Sequence, residues 1–461
     1  MKKIVLICLV AFTTTTGFSQ SNFSVDSFSY KYRIDTIYSD ILKEKRVVKI
    51  YLPSDFKKEN KYPVFYVLDE DWMFEPTVTN VKQLFEANVI PSSIVVGIHS
   101  NNRSKDLRLG TDGDFTETSR NFYQFISSEL VNYLKKNLTD PAFSILIGHS
   151  DGAVFSQKVL TSPNQPFNSI ISLSIQLADG QFKEINNYTQ QNLPKQIYHF
   201  IGGGTKDAPY RLESAIKLDS LFNTVHNLSL KVKVQIYKAD HFAIAARALN
   251  DGISFTFNDY IQENDLNEPL LDSLRKANTN PVNYIKQSIA KINSTYNIEA
   301  LPLNEGLISV GSAIVTNKIQ LEEFYNYKVK LYGKDHNYNS FYAQNLERLN
   351  EYEEALKYWK LNLIEDTASF SGAYFYYRRP IELVAYKMDN AKEAIKLAEE
   401  WQIKKPEYLL YFNYTIAKIC SDKQIKKNKG KKAINYCLNN YKVNGFFKID
   451  EARLISEKLN K

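Results

Sequence analysis

The stretch SILIGHSDGAVF, Ser144 to Phe155, constrains this chain more than any other. The residues before Gly148 read as a buried strand. AVFSQKVL reads as the start of a helix, and between them a serine stands in Gly148-His149-Ser150-Asp151-Gly152. Where a strand turns this sharply into a helix the two backbones crowd, so the flanking positions must be small and the serine takes strained angles. The turn lifts the Ser150 hydroxyl above a sheet. It also aims the Asp151 amide and the helix N-terminus at the point where negative charge would develop. The pattern predicts a nucleophile elbow, which demands further strands beside it.

Those strands are legible. VVKIYLP (from Val47), YPVFYVLD (from Tyr62), SSIVVGIHS (from Ser92), SIISLSIQL (from Ser169), QIYHFIGG (from Gln196) and LKVKVQIY (from Leu230) are rich in β-branched and aromatic residues. Several are apolar throughout, as strands covered on both faces are. Helical patterns lie between them. In Ser119–Leu138, for example, Phe122, Phe125, Ile126, Leu130, Tyr133 and Leu134 share one face. Alternation of this kind over about residues 28–262 predicts a mostly parallel sheet with helices on both sides.

After about residue 265 the strand signals fade. Three segments align without gaps, starting at Tyr352, Ala391 and Gly430, and they place Ala355, Ala394 and Ala433 at intervals of 39 residues. A small residue followed by an apolar stripe at a fixed period suggests stacked helical hairpins, degenerate copies longer than the about 34 residues of a regular tetratricopeptide repeat. The expected organisation is residues 21–265 as the sheet domain, 266–290 as a linker and 291–461 as a helical-repeat domain.

Residues 1–20 stand apart. Lys2 and Lys3 precede the apolar run Ile4–Phe12, which is too short to span a bilayer, and small and polar residues follow to Gln20. This predicts a cleaved signal peptide and a periplasmic or secreted protein. Cys8 lies inside the apolar run, which argues against a lipid anchor. Cys420 and Cys437 then remain, as a disulfide or as two buried thiols. No Cys/His cluster has zinc spacing. The net charge of +7 includes the basic run Lys423–Lys432, read as a solvated loop because no nucleic-acid motif accompanies it.

A serine hydroxyl needs a base to take its proton. His199 sits inside an apolar strand, His226 in a polar connection and His336 in the helical half. His241 follows the last strand, at the carboxyl end of the sheet and late in the domain, as a Ser…acid…His order requires. The acid belongs after QIYHFIGG: Asp207 on the glycine-rich loop is preferred, and Glu213 is the alternative. The second oxyanion donor belongs in YVLDEDWMF, as the amide of Glu70 or Asp71 beside that of Asp151, with Trp72 and Phe74 either walling a cleft or packing in the core.

Together, YPVFYVLDEDWMF, VVGIHSNNRSKDL, FISSELVNYLKKNL and ILIGHSDGA resemble the secreted putative-esterase family of α/β-hydrolases, which includes esterase D-like and enterobactin esterase-like enzymes. The resemblance spans about residues 30–262. It implies an α/β-hydrolase fold with Ser150 as nucleophile, His241 as base and Asp207 as acid, and with Arg103 and Asp106 holding the cleft-side loop. Some secreted members also carry a C-terminal helical-repeat domain. This chain departs from the family pattern at Glu70, Asp151 and Ala153. The two extra carboxylates would disfavour an anionic acyl group or attract a cationic or metal-loaded substrate.

The expectation is a serine esterase that works through an acyl-enzyme without metal or organic cofactor. Its substrate would be an extracytoplasmic small-molecule or glycan ester, such as a polysaccharide acyl or feruloyl ester or a siderophore ester. An acyltransferase of the same fold and a non-catalytic binding protein are the alternatives. The helical repeats offer a surface for a protein partner or for self-association. Neither nucleic acid nor a membrane span is expected.

Overall fold

The computed structural model describes residues 31–262, 266–299, 305–334, 338–364, 373–443 and 446–461. The expected signal peptide lies outside these residues. Eight strands form one sheet: β1 Tyr32–Ser39, β2 Glu44–Tyr51, β3 Tyr62–Val67, β4 Ile94–Ile98, β5 Pro141–His149, β6 Ser169–Leu173, β7 Ile197–Gly204 and β8 Leu230–Tyr237. Their order is β1-β2-β4-β3-β5-β6-β7-β8, with β1/β2 and β2/β4 antiparallel and the rest parallel. This is the α/β-hydrolase sheet.

Strands β3 to β7 are apolar because helices cover both faces. Phe65, Val67, Ile145 and Ile147 point into one core with Phe74, Val78 and Ile253, while Val64, Tyr66 and Leu146 point into the other with Phe122, Phe125 and Phe155. Burying each such side chain contributes about 1.5–3 kcal/mol before conformational entropy is counted. The helix expected over Ser119–Leu138 is interrupted by a π-helical turn at Phe125–Glu129, and Phe122, Phe125, Ile126 and Leu130 are all fully buried. The extra residue in that turn shifts the helical phase and keeps one apolar face on the core. The edge strand β1 is not evident from the sequence, since only Ile37 and Ser39 of its eight residues are buried.

Residues 266–290, expected as a linker, are folded. They hold the helix Glu268–Lys276 and much of the helix Pro281–Tyr296. The latter packs back on the sheet half, with the Tyr296 ring 5.1 Å from both Phe143 and Phe257. Further helices continue to Asn460. Ala355, Ala394 and Ala433 are all buried in that region. The basic run is not a loop throughout: Lys427–Asn439 is a helix. Cys420 and Cys437 are buried free thiols. Among the described residues no helix is long and apolar enough to cross a membrane.

Candidate active site

The parallel strands deliver the site one residue at a time. Asp69 lies just past the carboxyl end of β3, Ser150 past β5, Ser174 past β6, Asp207 past β7 and His241 past β8, so the neighbours in the sheet become neighbours in a cleft. Ligands gather at this end of open parallel sheets.

Ser150 adopts φ 59° and ψ −120° at the start of the helix Asp151–Thr161. A side chain there is strained by about 1–3 kcal/mol, a cost sustained only where the surroundings fix the backbone. The Ser150 amide donates to the Leu173 carbonyl at 3.0 Å, and the amide of Ala153 donates back to the Ser150 carbonyl at the same distance. Gly148 is required: a Cβ there would lie 2.2 Å from the carbonyl oxygen of Gly152.

Ser150 Oγ lies 3.1 Å from His241 Nε2. The other ring nitrogen, Nδ1, is 3.1 Å from Asp207 Oδ1 and 3.4 Å from Oδ2. Burial works to raise the Asp207 pKa. Hydrogen bonds from Ser174 and from the Ala208 amide, together with His241, outweigh it and hold the carboxyl below its ordinary range. Glu213, the alternative acid, sits exposed on the helix Pro209–Phe222. His199 is fully buried against Gln157, and burial lowers its pKa to about 3. His226 is exposed, and His336 lies outside the described residues.

Two residues at the centre are not apparent from the sequence. Ser174 donates to Asp207 Oδ2 at 2.5 Å and lies 2.9 Å from His241 Nδ1. Nothing in SIISLSIQL separates this serine from any turn serine. The sequence runs this strand on to Leu177, whereas β6 ends at Leu173 and leaves Ser174 as the first residue past it. His149 places Nε2 2.7 Å from the His241 carbonyl and its ring 4.7 Å from the His241 ring. Burial lowers its pKa to about 4, so it packs as a neutral ring.

On the other side of Ser150, Asp69 takes φ 54° as the N-cap of the helix Glu70–Glu86. The first amides of that helix and of Asp151–Thr161 have no partner within their helices. Asp151, Glu70 and Asp71 are thus the residues from which an oxyanion site can be built. Arg103 spans the two helix starts, donating to Asp69 at 2.7 and 3.0 Å and to Asp151 at 2.8 Å. Burial raises the Asp69 pKa, and Arg103 opposes that rise. The resemblance pairs Arg103 with Asp106 in holding one loop. Instead, Asp106 is engaged by Arg46 at 2.6 and 2.9 Å, both side chains being buried.

The two extra carboxylates do not leave bare charge at the cleft. Arg103 takes that of Asp151. Glu70 is buried and turned to Lys49 and His99, at 2.8 and 2.9 Å. The rim is aromatic: Trp72 stands edge-on to His149 at 4.8 Å, and Phe242 lies 6.2 Å from Trp72 while 72% exposed. Among the described residues no group of His, Cys, Asp and Glu could hold a metal.

This geometry narrows the comparisons with known proteins. Residues 39–245 match the family model described as "Putative esterase". The match lies within the sheet half and covers less than half of the chain. A crystal structure of an uncharacterised protein from Capnocytophaga ochracea aligns over 77% of this chain and 100% of its own, at 18% identity and a TM-score of 0.57. That likeness shows a shared fold and extends past the sheet. An IroE-like serine hydrolase from Shewanella oneidensis aligns over 69% of this chain and 99% of its own, at 19% identity and a TM-score of 0.49. No curated protein sequence matches the chain.

Proposed function

We propose that the protein is a serine carboxylic-ester hydrolase working through an acyl-enzyme, with Ser150 as nucleophile, His241 as general base and acid, and Asp207 as orienting acid. One observation carries this reading: a single imidazole lies 3.1 Å from the Ser150 hydroxyl through one nitrogen and 3.1 Å from a buried carboxylate through the other. Ser150 Oγ attacks the ester carbonyl while His241 Nε2 takes its proton. The oxyanion forms against the amide of Asp151 and that of Glu70 or Asp71. Collapse of the tetrahedral adduct breaks the carbon–oxygen bond of the ester, and His241 returns the proton to the departing alcohol. Water then repeats the sequence on the acyl-enzyme, releasing the acid and restoring Ser150. Asp207 holds the Nδ1–H tautomer throughout.

The aromatic rim of Trp72 and Phe242 favours esters with a ring near the scissile bond. Polysaccharide acyl or feruloyl esters and siderophore esters both fit, and the leader-like residues 1–20 favour an extracytoplasmic one. The helical region from about residue 291 is assigned to partner binding or self-association, on the strength of its repeated alanines. Hydrolysis of p-nitrophenyl acetate by the wild type and by Ser150→Ala tests the mechanism: the variant should lose essentially all turnover, and equal rates would end this account. A panel of acetylated, feruloylated and siderophore esters then ranks the substrates.

A further inference from the structure

We infer that Ser174 is a positioning residue of this site, whose hydroxyl fixes the tautomer of His241 by committing its own proton to Asp207; this rests on the esterase reading above. Ser174 is completely buried and takes φ 59°, a conformation that costs a serine side chain free energy. Both of its backbone groups are held. The amide donates to the Gly202 carbonyl at 2.8 Å, and the carbonyl accepts from Nη1 of the buried Arg211 at 2.5 Å. The residue is therefore locked in the one orientation that puts Oγ between the acid and the base.

A serine hydroxyl has one proton and two lone pairs. The proton goes to Asp207 Oδ2, an ionised acceptor at 2.5 Å, rather than to the neutral ring nitrogen at 2.9 Å. Toward His241 the oxygen then presents only a lone pair, which accepts from Nδ1–H. Asp207 Oδ1, at 3.1 Å, presents the same polarity to the same hydrogen. Two acceptors therefore face Nδ1, the proton stays on that nitrogen, and Nε2 is left basic toward Ser150. The second oxygen of Asp207 needs this donor because the carboxylate side chain is only 2% exposed, and the Ala208 amide already serves Oδ1.

The test compares Ser174→Ala and Ser174→Gly in the full chain. Both remove the hydroxyl, but glycine also relieves the backbone. Each should lower kcat for p-nitrophenyl acetate about 10- to 100-fold, the worth of one hydrogen bond to a charged group, with KM within about twofold. Each should also shift the low-field proton resonance of His241 Nδ1–H. The Ser174→Gly melting temperature should not fall. Wild-type kcat in both variants overturns the inference. So does an active Ser174→Gly beside an impaired Ser174→Ala, since the backbone rather than the hydroxyl would then matter. A wild-type protein that neither turns over the ester nor reacts with a fluorophosphonate refutes the esterase reading instead.

Discussion

The two halves of the molecule place left-handed, non-glycine residues for different purposes. In the helical half these are Asn278, Asn297, Asn350, Asp389, Gln424 and Lys426, mostly Asn and Asp, which tolerate that conformation and serve to end helices. Around the cleft they are Asp69, Ser150 and Ser174, each directly after or one residue past a parallel strand. Two of these three are serines, which gain nothing from the conformation itself. The sheet half also has Lys43, Asn88 and Asn164 in this conformation, at turns away from the site, so what sets it apart is that the strain on Asp69, Ser150 and Ser174 falls on groups that meet there.

Ser150→Gly presses hardest on this contrast. It should abolish esterase turnover, a loss of 10,000-fold or more on the order seen for such nucleophiles. It should also raise stability by about 1 kcal/mol through relief of the backbone, read as the denaturation midpoint. A stability loss would mean that the serine is not strained. Next in size is the acid. Asp207→Asn should cost about 1,000-fold or more in kcat, because the wrong tautomer of His241 becomes available, while Glu213→Gln stays within about twofold. The reverse ranking would move the acid onto the helix.

In the helical half the expected cost is stability alone. Trp359 is completely buried and donates Nε1–H to Glu347 at 2.7 Å. Trp359→Ala should destabilise that region by about 3–5 kcal/mol, with kcat per folded molecule within about twofold. A collapse of kcat would show that the halves are not energetically separable. A separate readout of the contrast is acid sensitivity. His149 and His199 stay neutral in the fold, with pKa values lowered to about 4 and about 3. The unfolded chain takes up protons below its ordinary histidine pKa of about 6.5, so stability falls as pH drops from there toward 4. Both groups lie in the sheet half. Hydrogen exchange at pH 4.5 should therefore loosen the sheet before the helices, and the opposite order contradicts the assignment.

Much of this site was legible because its signals are local. Small residues at 148 and 152 around Ser150 follow from crowding within one turn, and the position of His241 follows from chain order. The apolar strands named themselves by composition. What stayed hidden depends on distance in space. Arg46 and Asp106 are 60 residues apart and pair only once β2 and the segment after β4 are side by side. Arg103 reaches Asp69 and Asp151 in the same way. Strand β1 escaped because an edge strand needs no continuous apolar run, and residues 266–290 because amphipathic helices that dock on a neighbour read as a polar connection.

The central claim is that one hydroxyl, at position 150, carries the chemistry. Labelling with a fluorophosphonate followed by peptide mass spectrometry tests it most directly. The account predicts a single adduct per chain on the peptide bearing Ser150, strongly slowed in His241→Ala. An adduct on a different residue, or no adduct on an enzyme that still hydrolyses esters, would contradict it.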